Sequence, residues 1–329
     1  MKSRRVLTVA SLTLFVVLLT GISDRAMCQK YPTKPITIFV PAPAGGGTDV
    51  LARIIGDKFT ESWGQQIVVD NRGGASGMIA AELAARAKPD GYTLFFVYSG
   101  VLTQNKSLYR KLPYDPEKDF DAVAIFVSVP NILVVHPSLP VKSVPELIAY
   151  AKANPGKLNW ASSGVGVSNH LAMEMFRSMA GIDVVHVPYK GGAPAMIDLL
   201  GGHVQVMFNN LVEVESHVKA GKLRALAVAT TQRIDAMPEL PVIADFLPGY
   251  ENTLWYGMVA PAGTPKEIIS QLNAEILRIQ KMPDVKKRLA ETGSIPVPVT
   301  PAQMAAVIEK ELAATAKTVK DAGIQPKDN

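Results

Sequence analysis

The sequence predicts an α/β protein of two lobes, with mixed, mostly parallel sheets covered by helices on both faces. Three observations predict it. Segments with strand and helix periodicity alternate over most of the chain. Glycine-rich loops join strand to helix in both halves, and the last quarter holds helices with few strands of its own to cover. Strands alternating with helices of this length imply parallel pairing with crossover helices.

Taken in order, residues 36–40 (ITIFV) read as a buried strand, and Leu51, Ile54, Ile55 and Phe59 then fall on one helical face. A strand follows at 66–70, a helix at 78–87 and a strand at 92–98. The rhythm resumes with a helix over 144–154, where Ser143 and Glu146 have capping-box spacing. Strand 158–161, helix 170–180, strand 184–188, helix 193–200, strand 204–208, helix 212–220 and strand 223–229 complete this half. After a strand at 256–260, Thr264-Pro265-Lys266-Glu267 and Thr300-Pro301-Ala302-Gln303 both read as capping boxes with proline at the first helical position. Met304, Val307, Ile308 and Leu312 share one apolar face. These late helices are expected to pack back on the first lobe, which is then discontinuous: 31–128 plus 254–329, with 129–253 as the second lobe. The crossovers fall near 127–131 and 252–255.

The N-terminus carries an export signal. Lys2, Arg4 and Arg5 precede an apolar run from Val6 to Ile22, and polar residues resume at Ser23 and Asp24. The run is short for a spanning helix and is followed by small residues, the pattern of a secretory signal peptide over 1–28. Ala26 and Cys28 supply small side chains where a signal peptidase reads, so cleavage is expected after Cys28. A lipid anchor on Cys28 is disfavoured by Met27, since a small residue is wanted there. Cleavage removes the single cysteine of the chain, leaving a periplasmic protein without thiols or disulfides. The formal net charge of the chain is +5. Four cations of the leader against Asp24 carry three of those charges, so the mature part is nearly balanced. No basic stripe with interleaved aromatics is present, which argues against nucleic acid as a partner.

The strongest local feature is Pro41-Ala42-Pro43-Ala44-Gly45-Gly46-Gly47-Thr48-Asp49, set between a strand and a helix. Consecutive glycines let backbone N–H groups approach a ligand, and a helix N-terminus beside them suits an anion. A Walker A loop would need Gly-Lys-Ser/Thr and a dinucleotide fingerprint G-x-G-x-x-G; neither is there. A second such loop runs from Ala161 to His170, with Ser162, Ser163, Gly164, Gly166, Ser168 and Asn169. Ser168 and Asn169 could equally cap the following helix. A third loop, 187–193, contains Lys190, a point charge for a carboxylate, beside Gly191. Loops of this kind at strand ends in both halves imply a cleft between lobes. Catalytic readings are weaker. There is no G-x-S-x-G elbow, and His170 with Glu174 at i, i+4 lacks further metal ligands. Neither a cofactor nor a metal is expected.

These loops, in order and at their spacing, resemble the substrate-binding proteins of tripartite tricarboxylate transporters, the Bug or TctC-type family. The resemblance runs from about Tyr31 to Ile324. It rests on Tyr31-Pro32-Thr33-Lys34-Pro35-Ile36, the 41–49 loop with Ala52-Arg53, Asp70-Asn71-Arg72-Gly73-Gly74 and Lys88-Pro89-Asp90-Gly91-Tyr92. Leu112-Pro113-Tyr114-Asp115-Pro116, His170-Leu171-Ala172 with Glu174, Val187-Pro188-Tyr189-Lys190-Gly191, 221–227 and 260–265 complete it. The family implies a type II periplasmic binding fold, a Venus flytrap that closes on a carboxylate and delivers it to membrane permease subunits without chemistry, acting as a monomer. Carried onto this chain, the implied ligand contacts are Ala44, Gly45, Gly46, Gly47, Thr48 and Asp49 on one lobe. On the other they are Ser162, Ser163, Gly164, Ser168, His170, Lys190 and Gly191, with Tyr98 and Ser99 as further first-lobe candidates. After Phe208 many members carry Asp, which could meet an amino group; here Asn209 and Asn210 stand, and Asn209 joins the candidates. That departure points to a ligand without an ammonium group, such as a dicarboxylate or an aromatic carboxylate, with an amino acid as the alternative. Arg72-Gly73-Gly74 also replaces the more usual Arg-Pro-Gly. A receptor that presents its ligand to a membrane kinase is a second role compatible with these residues.

Overall fold

The computed structural model describes residues 31–189, 191–291 and 293–328. The expected signal peptide, its cleavage after Cys28 and Lys190 lie outside the described residues. Strand β1 (Ile36–Val40) pairs in parallel with β2 (Ile67–Asn71) on one side and β3 (Thr93–Tyr98) on the other. Helices α1 (Gly47–Trp63) and α2 (Met78–Ala85) are the crossovers. β3 leads directly into two short helices, α3 (Ser99–Thr103) and α4 (Asn105–Leu108).

The element with the largest consequence is β4, a 16-residue strand from Phe120 to Val135. Its first part pairs antiparallel with β9 (Thr253–Pro261) and the short β10 (Ile295–Pro296). Its last part pairs antiparallel with β7 (Val206–Asn210) and β8 (Arg224–Val228). One strand therefore serves both halves of the molecule. The sequence pattern suggested crossovers near 127–131 and 252–255, not one strand that runs through both halves. Pro130 is tolerated at the changeover, where its partner across β9 is Thr253 and the pairing is about to switch to β7.

The second half repeats the first: β5 (Asn159–Ser162) pairs in parallel with β6 (Val185–Pro188) and β7. Its helices are α5 (Val144–Ala153), α6 (Ser168–Ala180), α7 (Gly192–Leu200) and α8 (Leu211–Lys219). The chain closes with α9 (Lys266–Ile279), α10 (Pro283–Glu291) and α11 (Pro301–Asp321). Spatial strand order is β2-β1-β3-β9-β4-β7-β5-β6.

Buried apolar side chains divide along the same line. Ile36, Phe59, Phe96, Phe126, Leu272 and Ile276 belong to one cluster, and Met304, Ile308 and Leu312 of α11 pack with Phe95, Val97 and Trp255. Leu133, Leu147, Trp160, Phe176, Phe208 and Tyr250 form another. The end of α11 also reaches across: Val319 clusters with Leu108 and with Leu171 of α6.

The capping boxes came out differently. Thr300 makes a full one, its hydroxyl accepting from the Gln303 N–H while the Gln303 side chain accepts from the Thr300 N–H. Ser143 accepts from the Glu146 N–H at 3.3 Å, but the Glu146 carboxylate takes the Lys142 N–H instead. Thr264 caps nothing. Its N–H bonds the Asp121 carboxylate, its hydroxyl donates to the Pro261 carbonyl, and Pro265 occupies the cap position.

Candidate functional site

The parallel strands β1 and β3 end facing the point where β4 passes from one half to the other, and so do β5, β6 and β7. Five strand-to-helix loops therefore converge from two sides. The loop after β1 turns at Gly45, whose φ of +83° is a left-handed conformation suited to glycine. Gly46 is extended and caps α1 without any side-chain hydrogen bond. Ala44, Gly45 and Gly47 are exposed, and the first amides of α1 have no side-chain cap.

The loop is pinned from beneath by the buried Asp49. Its carboxylate accepts from the Gly45 N–H at 2.8 Å, Arg53 Nε at 3.0 Å and Asn71 Nδ2 at 3.1 Å. Asn71 Nδ2 also donates to the Ala42 carbonyl at 3.0 Å. Burial alone would raise the Asp49 carboxyl; the hydrogen bonds from Arg53, Gly45 and Asn71 outweigh it and hold it below the ordinary range. Asp49 thus faces its own loop. Thr48 is also buried, and its side chain partly offsets the upward push that burial gives the Tyr256 hydroxyl on β9.

The second-lobe loop is supported by neutral rings. Ser162 is fully buried, with Oγ 2.6 Å from His186 Nε2. The His186 ring stacks on Trp160 at 4.1 Å between centroids and lies 4.3 Å from the His170 ring. His170 Nδ1 accepts from the Gly166 N–H at 3.2 Å. His170 lies beneath the loop. Burial first, then His186, Arg177 and Lys327, pushes its pKa down to about 3, and burial brings that of His186 down to about 4.

Neither Ser168 nor Asn169 caps α6, since the cap residue is Val167 and it lacks a side-chain bond. The Asn169 side chain grips Ser163 instead, accepting from its N–H at 3.2 Å and donating to its Oγ at 2.9 Å. Ser168 Oγ lies 3.4 Å from Asn131 Nδ2 and 3.5 Å from Asn252 Oδ1, and Asn131 also donates to Asn252 at 3.1 Å. Gly191 caps α7 with φ of +111°, its N–H bonded to the Ser163 carbonyl. Asn209 is buried and donates to Glu213 Oε2 at 2.7 Å. Ser99 is buried at the start of α3, so of the β3 pair only Tyr98 reaches open space.

That space is a cavity of about 300 Å³ between the two sides. Tyr98, Gly100, Tyr109 and Tyr256 wall it from one, and Val165, Gly166, Val167 and Ser168 from the other. Burial, with Tyr109 and Tyr256 nearby, moves the Tyr98 hydroxyl up to about 12, so it stays a neutral donor. Sequence reasoning missed Tyr109, Tyr256, Asn131 and Asn252. Two signals were available. Period-two alternation along β9 puts Leu254 and Tyr256 on one face and Trp255 on the other. Asn131 is a lone amide in an apolar run.

Among the described residues no cluster of His, Cys, Asp or Glu could hold a metal, and no helix is long and apolar enough to cross a membrane. What converges is backbone amides, hydroxyls and tyrosines, a set that binds anions; Ser162, which has His186 beside it, is fully buried beneath its loop.

Residues 51–324 match the family model described as the tripartite tricarboxylate transporter family receptor. The chain belongs to that family. A UPF0065 protein from the tcbD-tcbE intergenic region of Pseudomonas sp. (strain P51) is 39% identical over 278 residues, 84% of this chain and 82% of its own. Among solved structures, Rpa4515 of R. palustris, solved with adipate, is 40% identical with a TM-score of 0.73. The match covers 90% of this chain and all of that one. MatC of Rhodopseudomonas palustris, with bound malate, is 31% identical with a TM-score of 0.68, over 88% of this chain and all of that one. The receptor therefore has the type II periplasmic binding fold expected from its loops, and it is a solute-binding protein, not an enzyme.

Proposed function

We propose that the receptor captures a small carboxylate, a dicarboxylate or an aromatic carboxylate, in the periplasm and delivers it to the membrane subunits of a tripartite tricarboxylate-type transporter. The carrying observation is that α1, α6 and α7 start at strand ends that face one cleft and leave their N-terminal amides without side-chain caps. Each uncapped helix start favours a negative charge by about 0.3–1 kcal/mol when exposed, and more once water is excluded. The adipate and malate bound by two relatives are of this chemical class. In this reading residues 31–128 plus 254–329 and residues 129–253 are the two lobes, and β4 and β9 bend as they close. The leader is removed after Cys28 on export.

The ligand contacts we assign are the backbone of residues 44–48, Tyr98, Ser163, Gly164, Ser168 and Gly191, together with Lys190. Asp49, Ser162, His170 and Asn209 hold those contacts in place from behind. A thermal-shift screen of residues 29–329 against mono-, di- and tricarboxylates tests this, because a ligand stabilises the native state by mass action. Carboxylates are expected to raise the midpoint; a rise with amines or sugars alone would refute the anion cleft.

A further inference from the structure

The cavity between the lobes contains one charged side chain among the described residues that line it, Lys327, and it comes from the C-terminal tail. The family match ends at residue 324, three positions earlier. The tail is held by its backbone. The Lys327 N–H donates to the Leu108 carbonyl at 2.9 Å, and its carbonyl accepts from the Arg110 N–H at 3.0 Å, bridging in parallel to Tyr109. Arg110 Nε adds a bond to the Pro326 carbonyl at 3.2 Å. Nothing in that attachment uses the lysine side chain, which is directed into the cleft.

There the ammonium lies 5.9 Å from the centre of the Tyr109 ring and 3.4 Å from the Val165 carbonyl of the opposite lobe. The second distance lies beyond the usual hydrogen-bond range of 2.7–3.2 Å, so the contact is weak and easily exchanged. No carboxylate pairs with Lys327 among the described residues; Asp328 lies against Arg110 instead. The exposed ammonium faces tyrosines with only a distant carbonyl and a ring face as partners, so it is free to take an anion.

We propose that Lys327 is that anion's partner: it contacts a ligand carboxylate in the cleft and, through Val165, ties the tail to the closing second lobe. This rests on the carboxylate-receptor reading and adds a residue outside the matched family region. Closure would expel water around the pair and strengthen it, and the four-carbon stem lets the ammonium follow the moving loop. Specificity for carboxylate length would then depend partly on a tail beyond the matched residues.

Titration calorimetry of residues 29–329 at low salt tests the assignment. The probe is whichever of adipate, malate and benzoate gives the largest thermal shift. Lys327→Gln is expected to raise Kd about tenfold or more, as loss of a charge-assisted bond would. Lys327→Arg should stay within threefold of wild type, and the salt dependence of Kd should flatten in Lys327→Gln alone. The unliganded midpoint should be unchanged, since the backbone holds the tail. Wild-type binding with a Lys327→Gln Kd within twofold would overturn the proposal. So would a lowered unliganded midpoint with unaltered affinity, which would make Lys327 a structural clamp. Wild type that binds none of the three probes would instead remove the carboxylate reading, and this assignment with it.

Discussion

The two glycine-rich loops at the cleft are held in place by opposite means. In the first lobe one ionised carboxylate, Asp49, gathers the Gly45 amide, Arg53 and Asn71. In the second, Ser162, His186, Trp160 and His170 form a stack of neutral groups, and Asn169 holds Ser163. Both leave the amides of the following helix without side-chain caps. The difference lies in what can disrupt them: the first loop depends on a charge staying on, the second on charges staying off.

The largest expected effect of breaking this comparison is Asp49→Ala. It removes the acceptor shared by the Gly45 N–H, Arg53 and Asn71, and hydrogen bonds to a charged group contribute about 1.5–3 kcal/mol each. Urea unfolding should show a loss of about 2–4 kcal/mol, and calorimetry should show ligand binding abolished. An equal loss of stability with binding intact would mean that the first loop is not a ligand contact.

Acid should separate the lobes. His170 and His186 have folded pKa values depressed below the ordinary 6.5, to about 3 and about 4. Below pH 6.5 the unfolded chain binds protons the folded chain refuses, so stability falls as pH drops from about 6.5 towards 4. Asp49 has a depressed carboxyl, so its contribution persists above its unfolded pKa and is lost only as pH falls through the folded value, below that window. The second loop should thus fail first. Amide hydrogen exchange at pH 7 and pH 5 should show protection lost at 162–170 before 44–50, and His170→Gln with His186→Gln should flatten the stability profile across that range. Simultaneous loss at both loops would contradict the contrast.

Glycine substitutions sharpen it further. A Cβ on Gly46 would meet the Pro43 carbonyl at 3.4 Å, ordinary contact at ordinary φ. Gly46→Val should therefore fold normally and lose ligand-induced stabilisation. Gly166 has φ of +85° and a Cβ there would press on Leu108 at 3.1 Å, so Gly166→Ala should cost about 1–2 kcal/mol by urea unfolding.

The smallest effect belongs to Trp160→Phe. The Trp160 Nε1 is buried without a hydrogen-bond partner. Losing ring area and losing an unsatisfied donor oppose each other, so the urea midpoint should move by less than about 1 kcal/mol.

Much of this was legible in the sequence because glycine and periodicity report directly on backbone. The strand-loop-helix units around Gly45, Gly164 and Gly191 fall where the pattern put them, as does the apolar face of Met304, Ile308 and Leu312. What the pattern could not convey is which side of a loop a side chain serves. Asp49 and His170 are motif residues, yet both turn inward, where they accept from the Gly45 and Gly166 N–H groups of their own loops. Long-range partners were equally hidden. Tyr256 meets Thr48 across 208 positions, and Lys327 reaches the cleft only because its tail bridges to Tyr109. The Thr264 box failed for a similar reason: Asp121, far away in sequence, claimed the N–H groups at that turn.

The central claim is that backbone amides of both lobes close on a carboxylate. The most direct measurement is titration calorimetry of wild type and Gly46→Val with the carboxylate that gives the largest thermal shift. The account predicts saturable one-to-one binding by wild type and none by a Gly46→Val protein with an unaltered unfolding midpoint. Equal affinity in the two proteins would contradict it.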